Sequence, residues 1–419
     1  MVGDMGNIKV CSSLKLRSGL TGKYHAVCHY SYILPLKFLF MKESVIILIF
    51  IVSVVSTSAQ TAYNFFSPGH EWADNNGVAI NAHGGGVLFH NNKYYWYGEQ
   101  KVAGTIGNSA QVGVHVYSSV DLYNWLDEGI ALKVNETDPN SDIAKGCTLE
   151  RPKVIFNKKT GKFVMWFHLE LKGRGYDAAR SGVAVADSPT GPFKFIRSGR
   201  PDAGFWPVNV QDFHKLPVAD SVKDTYCGGK GCLPNHVDSL NILGRDYRNG
   251  QMARDMNLFV DDDDKAYLIY SSEENSTLHI SLLSDDYLSN SGNYVRVFVG
   301  RYMEAPTILK TSTGKYFFIG SDCTGWSPNA ARSAVADHIF GPWQELGNPC
   351  VGENASTTFQ SQSTYLLPVQ GKKDAFIFMA DRWQPENPID GKYVWLPLKF
   401  ADGRIVLEWK DKWNLGVFD

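Results

Sequence analysis

The sequence predicts an all-β protein, folded as a five-bladed β-propeller. Aromatic residues make up 13% of the 419 residues and glycine occurs 39 times, a composition that suits short strands joined by tight turns. Five segments share one hairpin pattern, in which an apolar strand, a polar turn and an aromatic-rich strand follow one another. Long helical periodicity is missing, so several strands per unit, repeated five times, favour a propeller.

The five hairpins supply the inner strands of the five predicted blades in chain order. They are GGVLFHNNKYYWYGE from Gly85, PKVIFNKKTGKFVMWFHLE from Pro152, MNLFVDDDDKAYLIYSSE from Met256, RYMEAPTILKTSTGKYFFIG from Arg301 and STYLLPVQGKKDAFIFMADRW from Ser363. Further strand-like segments follow them, and the corners SPTGPFKF and HIFGPWQEL use the same turn twice. The aspartates at 261–264 fall at a hairpin tip, which predicts a solvated turn rather than a calcium site.

The first 59 residues are predicted to be a leader that precedes the folded domain. Met41 opens a stretch with one lysine, an apolar run from Val45 to Val55 and small residues ending at Ala59, which is typical of a secretory signal peptide. The apolar run is too short for a comfortable membrane span. We therefore expect translation to start at Met41, cleavage near Ala59, a secreted or periplasmic protein, and a propeller domain over 60–419.

Charge and cysteine content exclude several classes of protein. The formal net charge is −2, so no basic face predicts binding to nucleic acid or anionic lipid. Five cysteines follow the leader, and an odd number rules out a fully paired set. The CGGKGC segment at 227–232 is compatible with a small disulfide loop. It lacks two further ligands at a suitable spacing, so we expect no zinc site.

Polar residues precede the innermost strand of every predicted blade. In chain order they are His83, Glu150, Asp255, Glu304 and Gln362. Because blades repeat around one axis, these side chains should converge at one end of the channel. A single carboxylate there would serve strand-entry backbone groups, but three crowded carboxylates raise the pKa of at least one of them. A neutral carboxylic acid in an aromatic-rich cleft indicates glycoside hydrolysis.

The sequence ARDMNLFVDDDDKAYLIYSS, followed about fifty residues later by MEAPTILK, resembles glycoside hydrolase family 43. The resemblance extends from about residue 65 to the end of the chain. It implies that Glu304, in the E-A-P motif, is the general acid. It also implies that Asp255 tunes the pKa of the acid and orients the substrate. Arg151 and Arg254 flank two of the carboxylates and are expected to neutralise charge.

One departure from the family pattern narrows the resemblance. Most members carry an Asp base in the first blade, where this chain has NAHGGGVLF with His83. That feature is similar to the exo-β-1,3-galactanase (galactan 1,3-β-galactosidase) subgroup. The similarity implies that Gln362 holds the attacking water as a surrogate base, with Glu150 as its partner. Gln360 and His83 remain alternatives as the group that activates water.

The residues expected to bind substrate are polar and aromatic side chains, and Glu99, Thr324 and Trp326 among them match the same subgroup. Glu99 and Asn275 are expected to hydrogen-bond sugar hydroxyls, and Tyr176 and Trp326 to stack on the apolar face of the sugar. Packing between blades is the alternative role for both aromatic residues. Two further residues complete the predicted substrate-binding set, namely His83 and Thr324.

The sequence therefore predicts an inverting exo-glycosidase that releases galactose from β-1,3-galactan chains. Alternatives are an α-L-arabinofuranosidase or β-xylosidase of the same family, or an inactive carbohydrate-binding propeller. We expect a polysaccharide or oligosaccharide as the partner of a monomeric chain, with no membrane span. No cofactor and no catalytic metal are expected, and a structural calcium on the propeller axis is compatible with the sequence.

Overall fold

The computed structural model describes residues 62–223 and 237–419, which form five β-sheets around one axis. The inner strands of neighbouring sheets contact one another in a closed ring, with the fifth sheet against the first. The predicted five-bladed β-propeller is therefore confirmed. The predicted signal peptide and the CGGKGC segment lie outside the described residues. Among those residues, no helix has the length and apolar character needed to cross a membrane.

The first four blades are antiparallel sheets of four strands each. Blade one contains β1 to β4, which are His83–His90, Lys93–Gln100, Gly113–Ser119 and Leu126–Lys133. Blade two contains β5 to β8, which are Thr148–Asn157, Lys162–Glu170, Arg180–Ala186 and Lys194–Gly199. Blade three contains β9 to β12, which are Met256–Val260, Ala266–Ser272, Thr277–Leu283 and Asn290–Val297. Blade four contains β13 to β16, which are Met303–Lys310, Tyr316–Asp322, Arg332–Ala336 and Gln344–Gly347.

Blade five has five strands, and the ends of the described chain meet beside it. Its strands β17 to β21 are Cys350–Val351, Gln362–Pro368, Phe376–Arg382, Lys392–Ala401 and Arg404–Glu408. Phe66 forms an antiparallel bridge with Trp413, in which each backbone N–H donates to the other carbonyl. Ala82 N donates to the hydroxyl of Tyr393 in β20. These contacts join blade five to the chain that enters blade one.

Helical segments are short and lie in the connections. The α-helices α1 and α2 are Asp220–Lys223 and Ile242–Asp246. The 3₁₀ helices are Thr105–Asn108, Asp212–Lys215, Ala355–Gln360, Pro388–Asp390 and Leu415–Phe418. Both α-helices belong to residues 200–250, which connect blade two to blade three; we call this connection the insertion. Its described part has a small apolar cluster of its own around Ile242.

The apolar core is divided among the five interfaces between blades. Each interface holds one cluster of buried side chains from the two blades that face each other. The cluster between blades five and one is rich in tryptophan and includes Trp96, Trp125 and Trp395, all almost fully buried. Many of the aromatic residues therefore pack between blades. This is the alternative role that the sequence predicts for aromatic side chains.

The inner strands change register at the end where they begin. Pairing with the second strand is interrupted after His83, Glu150, Glu304 and Ser363. The first three interruptions are each followed by a residue with positive φ, namely Gly84, Arg151 and Ala305. Such bulges add a residue and turn the strand locally, so side chains at this end of the axis are redirected. We call it the pocket end.

Candidate active site

A pocket of about 260 Å³ opens at the pocket end of the propeller axis. All five blades contribute to it. Inner strands and their approaches supply Glu150, Arg151, Asp255, Glu304 and Gln362, and the second strand of blade one supplies Glu99. The pocket-end loops of the blades add Lys101, Tyr176, Asn275, Trp326 and Trp383. The convergence predicted for the strand-entry residues is thus seen for four of the five.

Glu304 is a partly buried residue whose carboxyl group lies among charged side chains. Asn275 Nδ2 donates to its Oε1 at 3.1 Å, and the Cys323 thiol forms a hydrogen bond with it. Burial raises the pKa of Glu304, and the negative charge of Asp255 raises it further, to about 8. Arg151 and Arg254 oppose that rise only in part. Glu304 is therefore a carboxylic acid that keeps its proton at neutral pH.

Asp255 lies directly before β9 and is held by two donors. Arg151 Nη2 lies 2.8 Å from its Oδ2, and Ala305 N donates to the same oxygen at 3.0 Å. Ala305 follows Glu304 at the bulge of β13, so this backbone bond ties the acid to the neighbouring blade. A guanidinium partner stabilises the ionised form of a carboxylate. The pair therefore combines one protonated and one charged carboxyl group.

Glu150 belongs to a second buried cluster, in which a histidine lies between two carboxylates. His168 Nδ1 is 3.0 Å from Glu150 Oε2, and His168 Nε2 is 2.9 Å from Glu170 Oε1. The Tyr176 hydroxyl donates to Glu150 Oε1 at 2.9 Å. Burial alone would raise the pKa of Glu150, but the hydrogen bond and charge of His168 lower it to about 2. Glu150 is therefore ionised over the whole working pH range.

The same cluster has the spacing of a metal site but not its chemistry. Glu150, His168 and Asp255 each bring one ligand atom within 4.8 Å of the others. Burial would lower the pKa of His168, yet its hydrogen bonds to Glu150 and Glu170 raise it to about 10. Both ring nitrogens then carry protons, whereas metal binding needs a neutral imidazole nitrogen with a free lone pair. These residues fit an imidazolium bridge better than a metal ion.

Gln362 is fixed by hydrogen bonds from three sides. Its Oε1 accepts from Arg151 Nη2 at 2.7 Å and from Trp383 Nε1 at 2.9 Å. Its Nε2 donates to Ser321 Oγ at 3.0 Å. Because both neighbours of Oε1 are pure donors, the amide has one orientation. A single guanidinium, that of Arg151, therefore links Gln362 to Asp255.

Glu99 and Lys101 form the blade-one wall of the pocket. Lys101 Nζ lies 2.5 Å from Glu99 Oε2, and Glu99 Oε1 accepts from the backbone N–H of Arg151 at 3.0 Å. Beneath them, the buried Lys153 donates to the carbonyls of Gly84 and Arg151. Lys153 thus ties together the bulges of β1 and β5 behind this wall of the pocket.

The rim of the pocket carries two tryptophans. Trp326 is 46% exposed, and its ring lies 6.1 Å from that of Trp383 in an edge-to-face arrangement. The Arg151 guanidinium lies 6.0 Å from the centre of the Trp383 ring. Exposed aromatic faces of this kind suit the apolar face of a sugar. The predicted position of Trp326 at the pocket is observed.

Three predicted residues do not line this pocket. His83 is 1% exposed, stacks on Tyr393 and lies 3.6 Å from Asp381. Thr324 donates to Ser327 O inside its own loop. Gln360 lines a neighbouring cavity of about 300 Å³ rather than this pocket. The same kind of bulge as that after His83 follows Glu150 and Glu304, which do line the pocket; His83 differs in that its ring packs against Tyr393 of blade five.

Sequence reasoning missed two charged residues of the site. His168 faces Glu150 across the β5–β6 ladder, so its role depends on register. Lys101 follows Glu99 by two residues, and this spacing on one strand face was the available signal. Arg151 and Arg254 were seen only as neighbours of carboxylates. In the structure Arg151 is the central donor of the site, and Arg254 donates to the Tyr176 carbonyl.

Solved structures similar to this chain include galactan-degrading enzymes. A GH43 β-1,3-galactosidase with galactodeoxynojirimycin is 51% identical, with a TM-score of 0.78, over 84% of this chain and 100% of that chain. An exo-β-1,3-galactanase from Clostridium thermocellum is 35% identical, with a TM-score of 0.67, over 83% and 66%. One from Phanerochaete chrysosporium with galactose is 31% identical, with a TM-score of 0.66, over 84% and 68%. Scans against protein-family models and against curated proteins found no match.

Proposed function

The chain belongs to glycoside hydrolase family 43, and from this premise we propose that it is an inverting exo-β-1,3-galactosidase that removes galactose from the end of galactan chains. The observation that carries the proposal is the Glu304 carboxyl in the pocket beside Asp255, whose pKa of about 8 makes it a proton donor at neutral pH. A pure binding module has no use for such a donor. The galactose specificity is supported by the similar structures, which include a β-1,3-galactosidase and an exo-β-1,3-galactanase.

The first half of the reaction is protonation of the leaving group. Glu304 transfers its proton to the glycosidic oxygen while the bond from that oxygen to the anomeric carbon breaks, and the electron pair stays on the oxygen. Asp255 remains ionised and hydrogen-bonds the sugar. Its negative charge keeps the pKa of Glu304 high, which matches the acid to neutral pH.

The second half is attack by water on the opposite face of the sugar. Gln362 orients the water and, as surrogate base, takes the proton that the water loses while its oxygen bonds to the anomeric carbon. Glu150, held ionised by His168 and Tyr176, offsets the positive charge that develops on the amide. His83 and Gln360 are weaker candidates because neither lines the pocket. An inverting site leaves a gap of roughly 6.5–9.5 Å between its two catalytic groups for this water.

The size of the pocket supports removal of one terminal sugar at a time. Its volume of about 260 Å³ is at the small end of ligand pockets. Glu99 and Asn275 supply polar contacts inside, and Trp326 and Trp383 provide an aromatic rim for the next sugar. Export through the predicted leader, and a monomeric state, stay predictions.

Hydrolysis of β-1,3-galactobiose, followed by proton NMR of the released anomer, tests the proposal. We expect α-galactose first, with Glu304→Gln and Gln362→Ala nearly inactive. Release of β-galactose first would contradict inversion. Activity confined to aryl α-L-arabinofuranosides would assign the neighbouring specificity. Binding of galactan without any hydrolysis would assign an inactive propeller.

A further inference from the structure

Blade three carries an unusual turn at the pocket end. The loop 273–276 between β10 and β11 is much shorter than its counterparts 101–112, 171–179, 323–331 and 383–391. Three consecutive residues in it, Glu273, Glu274 and Asn275, have φ values of 49°, 59° and 64°. None is glycine, so each adopts a left-handed conformation at a cost in free energy. Such strain persists only where the surroundings enforce it.

Buried ion pairs hold the turn in this conformation. Arg296 donates to both Glu273 oxygens at 2.6 Å, and His279 Nε2 lies 2.8 Å from Glu273 Oε1. The Glu274 carboxylate lies 3.0 Å from Arg245 Nη1 and 3.5 Å from Arg254 Nη2. Both glutamates are fully buried. A buried ion pair is weak evidence for added stability, because apolar residues in the same place often stabilise a fold as well. Stability alone therefore does not explain why these ion pairs are present.

The turn contacts the acid of the proposed reaction. Arg254 Nη1 donates to Asn275 Oδ1 at 3.3 Å, which orients the amide so that Nδ2 donates to Glu304 Oε1. The Asn275 carbonyl lies 3.9 Å from the Cys323 sulfur, and that thiol also contacts Glu304. Tyr302, two residues before the acid, donates its backbone N–H to Ser276 O. The groups around Glu304 are thus arranged by the turn.

The insertion holds the same turn from outside. Arg245 of α2 reaches Glu274, and Asp238 accepts from Arg296 Nη2 at 2.7 Å. His214 Nε2 lies 3.1 Å from Asp238 and 3.0 Å from Arg296 Nη1. The described part of the insertion therefore contacts both glutamates: Arg245 pairs with Glu274 directly, and Asp238 holds Arg296, which pairs with Glu273. The site of blade three and the insertion form one ion-paired unit.

We propose that the turn of Glu273, Glu274 and Asn275 is a positioning element for Glu304, and that its ion pairs exist to hold a strained backbone. Glu273 and Glu274 are positioning residues, because they act on the acid through Asn275 and Cys323. The inference rests on the proposed function, in which Glu304 is the proton donor. Groups that face Glu304 are Asp255, Arg151, Arg254 and Cys323, and the turn fixes two of them, Arg254 and Cys323.

A comparison of Glu273→Ala with Glu273→Gly tests the proposal. Both variants remove the carboxylate. Glycine adopts positive φ without steric cost, whereas the Cβ atom of alanine makes positive φ costly. On β-1,3-galactobiose we expect Ala to lower kcat about tenfold, to leave KM nearly unchanged and to move the alkaline limb of the pH profile. The Glu273→Gly variant should have a kcat at least about threefold higher than that of Glu273→Ala. Its alkaline limb should lie at the wild-type pH. Asp261→Asn, at the other end of the propeller, is the control and should leave kcat unchanged.

Equal kcat values and unmoved pH profiles for Ala and Gly would overturn the proposal. If Glu273→Ala does not fold, Asp238→Asn weakens the same clamp at a side chain that is 41% exposed, and it should lower kcat and shift the limb without changing KM. An unshifted limb there would also overturn it. If the wild type hydrolyses no galactoside, the proposed function fails. The role of the turn is then tested by crystal structures of the wild type and of the two Glu273 variants, in which the position of Glu304 is compared. Displacement of Glu304 in Ala and its return in Gly support the proposal, whereas an undisplaced Glu304 in Ala overturns it.

Discussion

Strands β9 and β13 carry a charged pair at each end, and the two pairs are opposite in kind. At the pocket end Asp255 meets Glu304, a like pair in which the pKa of Glu304 is raised to about 8. At the other end, which we call the rear end, Asp261 meets Lys310 with Nζ 2.5 Å from Oδ1. Burial opposes ionisation of Asp261, but hydrogen bonds from Lys310 and Tyr316 lower its pKa. The same two strands therefore hold a repulsive pair of carboxyl groups at the pocket end, where the reaction is proposed, and an attractive ion pair at the rear end, where the residues have a structural role.

The difference shows that strand packing does not decide protonation. Both pairs lie at the ends of the same two neighbouring inner strands. Burial and the Asp255 charge raise the pKa of Glu304, whereas at Asp261 burial is outweighed by hydrogen bonds from Lys310 and Tyr316, which lower its pKa. Burial and the sign of the partner charge together therefore decide the outcome. Arg151 and Arg254 moderate the pocket-end pair without neutralising it. Four substitutions or titrations sharpen this comparison.

Replacing Glu304 by Gln should have the largest effect. The amide keeps the shape but has no acidic proton, and general acid catalysis contributes on the order of 10²–10⁴-fold. We expect kcat/KM on β-1,3-galactobiose to fall by about 10³-fold. Substrates with a good leaving group, such as an aryl galactoside, should lose much less. An equal loss on both substrates would argue against the acid role.

Replacing Asp255 by Asn should change the pH dependence as well as the rate. The wild-type kcat/KM should fall above about pH 8, where Glu304 loses its proton. Without the negative charge of Asp255 the pKa of Glu304 drops, so the alkaline limb should move to lower pH while kcat falls about 10²-fold. A pH–rate profile from pH 4 to 10 checks both effects. An unmoved limb would show that burial alone sets the pKa.

The like pair should also make stability depend on pH. The pKa of Glu304 is higher in the folded protein than the ordinary value of 4.5, so its contribution is fully present below pH 4.5 and is lost as pH rises through about 8. Relative to Glu304→Gln, the wild type should lose on the order of a few kcal/mol across that window. Denaturant unfolding of both proteins at several pH values measures the difference, and a constant difference would contradict the raised pKa.

Replacing Asp261 by Asn should have the smallest effect. The variant loses the Lys310 ion pair and should be less stable by about 1 kcal/mol at pH 7. Because the folded pKa of Asp261 lies below 3.8, the deficit should shrink as pH falls through that range. Activity should be unchanged. A loss of activity would show that the two ends of the strands are coupled.

The fold was predictable because its signals are local. Alternating apolar residues, Asn, Asp and Gly turns, and five similar hairpins are all readable from neighbouring residues. The positions of Asp255 and Glu304 followed from the repeat itself, since equivalent strand starts share one axis. Trp326 was placed at the site by resemblance rather than by pattern.

Residues that depend on register or on distant charges were not predictable. His168 is fixed opposite Glu150 only by the β5–β6 pairing. The sequence SSEENST contains no glycine, so nothing local predicts three left-handed residues, and arginines from the insertion and β12 enforce them. His83 was expected in the pocket, but its ring is buried against Tyr393 of blade five, a contact between strands far apart in the sequence.

The meeting of Phe66 with Trp413 has a consequence for how activity arises. Glu99 comes from the first blade and Gln362 from the last, and their walls come together only when the ring of blades is complete. Partly folded chains, with three or four formed blades, therefore have strands and cores but no site. During refolding, catalytic activity should return together with the fluorescence change that accompanies burial of the tryptophan cluster between blades five and one. Catalytic activity would therefore report that the ring of blades is complete.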